Sequence, residues 1–145
     1  MDIRLKRIHD PADPEDGMRM LVDRLWPRGV RKADAGVDVW MRELAPSSEL
    51  RRWFGHAPVR WRGFRQSYRS ELAAVPEALD RVLTLARQQP VTLLFAARDR
   101  DHNQAVVLRE VLLERAADGP RGQPASPTCY AGDFAAYNGL DREDP

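Results

Sequence analysis

The seven residues Val91–Ala97 contain no charge and no turn residue, and they constrain the fold of this chain more than any other stretch. An uninterrupted apolar run of this length, rich in β-favouring side chains, predicts a strand buried on both faces. Arg98–Asn103 follows as a polar turn, and Gln104–Arg115 then presents apolar residues around most of a helical circumference. The pattern is strand, turn and helix. Ligands of open α/β sheets collect just beyond the carboxyl ends of such strands, so the turn is the first place to seek chemistry. It holds Arg98, Asp99, Arg100, Asp101, His102 and Asn103 but matches no named catalytic motif.

The remaining elements fit around that strand. Ile3–Ile8 begins with alternating polarity and places only basic side chains at its polar positions, which predicts an edge strand. After a loop punctuated by Pro11, Pro14 and Gly17, Met18–Asp23 reads as a second, more buried strand. Pro27 ends it and Gly29 permits a positive φ, so the chain turns there. Val37–Met41 is a short strand or an extended connection. Ser47 or Ser48 caps a helix over Glu49–Phe54. A second helix spans Val59–Leu72 with Trp61, Phe64, Tyr68 and Leu72 on its core face, and a third runs from Pro76 to Gln88.

The expected fold is therefore α/β: a small, mostly parallel sheet with helices on both faces, forming one domain over residues 1–116. Residues 117–145 form a Gly- and Pro-rich C-terminal extension in which Tyr130, Phe134 and Tyr137 offer one amphipathic turn. Charge divides the same way, with 21 basic against 17 acidic residues before position 117 and 2 against 5 after it. No apolar run approaches the roughly 20 residues that cross a bilayer, and the first residues are charged, so the expectation is a cytoplasmic protein without a membrane partner. One cysteine, Cys129, builds neither an internal disulfide nor a thiolate metal site.

If the strands ending at Asp23 and Ala97 are parallel neighbours, the turns Asp23–Arg28 and Arg98–Asn103 meet at one edge of the sheet. The first turn then supplies a clamp for an anionic ligand, from Arg24, Trp26 and Arg28; the second adds Arg98 and Asn103. His102 is the candidate acid or base, with Asp23 and Asp99 as orienting carboxylates. Plainer roles stand beside these. Asp23 paired with Arg24 or Arg28 and Trp26 in the core describe a structural turn, and Asp101 with Gln104 three residues on is a capping-box pattern. Asp23, Asp99 and Asp101 follow no metal-ligand spacing, so neither metal nor cofactor is assigned. A different function class, nucleic-acid or protein binding, rests on the stripe Arg62, Arg65 and Arg69 within a segment, residues 51–70, that lacks acidic residues up to Glu71. His56, between Gly55 and Ala57, reads as a linker residue, and no nucleophile motif is present.

The words Asp23–Gly29, Leu44–Ser47, Leu50–Phe54 and Val91–Leu94, with Asp99 and Asn103 after them, closely resemble the domain of unknown function 488 family in its YeaO-like branch. The resemblance covers about residues 3–115 and implies a small bacterial α/β protein without an established reaction. Another branch carries a Cys-His-Arg triplet near the turn where this chain has His102-Asn103-Gln104, so thiol chemistry does not carry over. A tetrapyrrole methyltransferase label attached to some members is unsupported here, for want of a glycine-rich cofactor loop and of a second domain. The family pattern offers no counterpart to the residues after Ala116.

Overall fold

The structure, a computed structural model, describes residues 1–118. Four parallel strands, β1 (Ile3–Arg7), β2 (Met18–Leu21), β3 (Val39–Trp40) and β4 (Val91–Phe95), lie in the order β1-β4-β2-β3. The apolar run is thus a central strand. All five of its residues are buried, and because alternate side chains point to opposite faces, both faces of the sheet are covered there. β1 occupies an edge, as its basic polar positions predicted.

The two faces are covered differently. On one, Leu21 of β2 and Leu94 of β4 stand side by side in register and pack with Ile8 and with Ala35 of the short helix α1 (Lys32–Ala35). Trp26, Val30, Val37 and Trp40 close over this cluster. The longer helices α2 (Ser48–Phe54), α3 (Trp61–Ala73), α4 (Pro76–Ala86) and α5 (Gln104–Asp118) bury apolar side chains of their own, together with strand residues such as Met20, Leu93 and Phe95. Ser47 caps α2, its Oγ accepting the Leu50 amide at 3.1 Å, and Glu71 of α3 fixes that cap by accepting from both the Ser47 amide and hydroxyl. Phe64, Tyr68 and Leu72 are buried as the helical spacing predicted, and the Tyr68 hydroxyl donates to the Leu44 carbonyl at 2.5 Å.

Three short elements escaped the sequence. The four-residue helix α1 and the 3-10 turns at Pro14–Asp16 and Arg42–Leu44 are too short to show hydrophobic periodicity. The first of these turns carries a buried polar network that no pattern announced. Asp16 accepts from Lys6 at 3.1 Å and from Arg19 at 2.5 Å, and the other two guanidinium nitrogens of Arg19 donate to the carbonyls of Gly36 and Ala35. Gly17 approaches Pro90 so closely that a Cβ would lie 2.0 Å from its carbonyl oxygen. Tyr130, Phe134 and Tyr137, Cys129 and nearly all of the expected extension lie outside the described residues.

Candidate functional site

The chain leaves β2 toward β3 but leaves β4 toward α5, whose Arg109 Nε donates to the Ile3 carbonyl of β1 at 2.6 Å. The connections after two neighbouring strands therefore diverge, and a crevice opens at their carboxyl ends. It is a cleft of about 590 Å³, within the range typical of small-molecule sites. Both polar turns line it. Asp23, Arg24, Trp26 and Arg28 contribute one wall, Arg98, His102, Asn103 and Gln104 the other, and Phe54 and Phe64 are part of its apolar surface.

Each polar residue has a distinct situation. Arg24 is committed to structure, since its Nε donates to the Pro46 carbonyl at 2.8 Å. Trp26 does two jobs: its indole donates to the Val30 carbonyl at 2.6 Å and meets Trp40 edge-on at 5.4 Å, while its exposed part borders the cleft. Arg28, Arg51 and Arg98 are exposed, line the cleft and pair with no carboxylate among the described residues. Arg51 belongs to the Leu50–Phe54 word, yet its place in the cleft was not read from the sequence, because only the fold of α2 carries it to the strand ends. His56, just after α2, and Gln104, at the start of α5, also line the cleft and were not read as site residues from the sequence.

Asp23 forms no closed ion pair with Arg24 or Arg28. Burial pushes its carboxyl up to about 6, against the Ala96 amide, the Gln104 side-chain amide and the field of Arg51, which all favour ionisation. The Gln104 Nε2–Asp23 Oδ1 hydrogen bond ties the two walls together. Opposite it, His102 lies with its Nδ1 3.0 Å from Asp99 Oδ2 and its ring edge-on to Trp61 at 5.1 Å. Asp99 also accepts the amides of Asp101 and His102; the Asp101 amide foremost, then the His102 side chain and amide, hold its carboxyl below the ordinary value against a cost of burial. A neutral His102 donating from Nδ1 presents Nε2 as an acceptor.

The capping arrangement differs from the expected one. Asn103, not Asp101, caps α5: its Oδ1 accepts the Val106 amide at 3.2 Å and its Nδ2 donates to the Asp99 carbonyl at 2.8 Å, in a residue only 2% exposed. Gln104 reaches Asp23 instead of folding back, and Asp101 is exposed. The register of one turn decided this. Arg100 is likewise engaged elsewhere, in a fork on Asp10 at 2.9 and 3.0 Å. Arg7 spans the end of β4, donating to the carbonyls of Ala97 at 2.9 Å and Ala96 at 3.2 Å.

On α3, Arg65 lies 2.9 Å and Arg69 3.6 Å from Glu110 of α5, while Arg62 is exposed. Among the described residues no three His, Cys, Asp or Glu side chains gather in a metal-binding group, and no helix is long and apolar enough to cross a membrane.

A family model described as the inactive DUF488-N3 subclade matches residues 2–131. The chain belongs to the DUF488 family. That match continues past Ala116 to residue 131, so part of the expected extension does have a counterpart in the family. This DUF488 protein is 45% identical over 112 residues to the uncharacterized protein YeaO of Escherichia coli K12, an alignment covering 77% of this chain and 97% of the relative. It is 40% identical over 110 residues to the uncharacterized proteins Rv3073c of Mycobacterium tuberculosis H37Rv and Mb3100c of Mycobacterium bovis, covering 76% of this chain and 92% of each. No solved structure matches.

Proposed function

We propose that this DUF488 protein binds a small phosphorylated or nucleotide-like anion in the cleft at the carboxyl ends of β2 and β4. One observation carries the reading: Arg28, Arg51 and Arg98, from three separate segments, line one cleft with Phe54 and Phe64, and among the described residues none of the three forms an ion pair with a carboxylate. Guanidinium groups are suited to forked recognition of phosphate, and an apolar floor suits the body of a ligand whose charge sits at one end.

Binding is favoured over turnover. The matching subclade is described as inactive, and the turn over the cleft has no cysteine at the position where another branch of the family has its Cys-His-Arg triplet. His102 and Asp99 then serve as a polar wall, His102 Nε2 being the atom able to bond a ligand. Binding of nucleic acid by α3 receives less support, because Glu110 already engages two of the three arginines of that stripe.

Calorimetric titration with 5′-nucleoside monophosphates and sugar phosphates tests the reading. Saturable binding that weakens at least tenfold in Arg28→Ala or Arg98→Ala is the expected result. No saturable binding up to millimolar ligand, or binding indifferent to both substitutions, refutes it. Binding of a single-stranded oligonucleotide with steep salt dependence and no need for Arg28 or Arg98 would return the function to the α3 face.

A further inference from the structure

Asp23 is the group that the anion-binding reading leaves without a purpose. It sits among arginines and within the field of Arg51, yet forms no ion pair with any of them, and a mostly buried carboxylate facing a ligand cleft is costly to keep ionised. Its identified hydrogen bonds come from the Ala96 amide and the Gln104 side chain. A carboxylate has about four lone-pair sites, so acceptor capacity remains. The position of the arginines matters as well. Arg28, Arg51 and Arg98 are exposed, whereas Asp23 is mostly buried, so an anionic group held by the arginines leaves the opposite end of the ligand to reach Asp23.

Resting on the anion-binding reading, we infer that Asp23 is the specificity-determining acceptor of the cleft: it selects a nucleotide whose base presents N–H donors, with the phosphate on the arginines and the base beside Phe54 and Phe64. Gln104 supports this selection: one N–H of its Nε2 is given to Asp23, which fixes the carboxylate, and Oε1 adds an acceptor beside it. Among the common bases guanine presents two adjacent donors, N1–H and the exocyclic amine, which a carboxylate accepts as a fork.

The probes are guanosine 5′-monophosphate and ribose 5-phosphate, which share the sugar phosphate and differ by the base. For the full chain, GMP is expected to bind at least tenfold tighter than ribose 5-phosphate. Asp23→Asn, which keeps the shape but turns half the acceptor into a donor, is expected to abolish the tenfold preference, so that GMP and ribose 5-phosphate bind alike. A ligand-side deletion needs no variant: N1-methyl-GMP is expected to lose the same tenfold on the unaltered protein. Equal affinity for GMP and ribose 5-phosphate, or equal weakening of both by Asp23→Asn, overturns the role of Asp23; if Arg98→Ala still weakens both probes, the anion-binding reading survives that failure. Absence of saturable binding by either probe, or binding indifferent to Arg28→Ala and Arg98→Ala, overturns both.

Discussion

Replacing Asp23 by Asn should make the protein more stable, and only above mildly acidic pH. The carboxyl has an ordinary value of 3.8 and is pushed up to about 6 in the fold, chiefly by burial. A raised acid holds its proton more tightly when folded, so ionising it costs native stability. Below about pH 3.8 both states are protonated and the cost vanishes; it grows between the two values and is constant above about 6. The gap of roughly two pH units corresponds to about 3 kcal/mol at neutral pH and to under about 1 kcal/mol at pH 4. Asn avoids the charge while still accepting the Ala96 amide, and Gln104 can rotate its amide to bond it, so about 1–3 kcal/mol should be recovered. For a chain of this size that is a rise in melting temperature of about 3–10 °C at pH 7.5, with the two proteins within about 2 °C of each other at pH 4. Thermal melts monitored by circular dichroism at both values decide it. A variant less stable at pH 7.5, or one differing from its parent equally at both pH values, would refute the reasoning, for it would mean that hydrogen bonds and Arg51 fully compensate the buried charge.

Two further outcomes follow from contacts described above. Asn103→Ala removes the cap of α5 and the bond to the Asp99 carbonyl together, and urea unfolding should show a loss of about 1–2 kcal/mol, toward the upper end because the site is buried. Gly17→Ala meets both a left-handed backbone, φ 66°, and the Pro90 carbonyl at 2.0 Å; the ladder bond from the Met18 amide to that carbonyl must then shift, so a loss of about 2 kcal/mol or more is expected, read as a lower urea midpoint.

The strand pair that makes the cleft was legible because its signal is collective: five consecutive buried residues in β4 can only be central, and polar turns at the carboxyl ends of neighbouring parallel strands must meet. Asp23, Arg28, Arg98 and His102 came to light that way. Arg51 and Gln104 did not, because their roles depend on where a helix places one side chain, and a capping box competed for Gln104 with equal local plausibility. The Asp16, Lys6 and Arg19 network was equally silent. Three charged residues spread over two strands and a loop look like ordinary solvated positions until the fold removes the water.

Arg7 alters what an anion meets at the end of β4. Carbonyl oxygens of Ala96 and Ala97 would otherwise turn partial negative charge toward the strand end, opposing any phosphate brought there. By donating to both, Arg7 offsets that field without being one of the groups that line the cleft. A cation set on those two carbonyls acts as a counterweight: it offsets their partial negative charge while taking no part in the lining of the cleft.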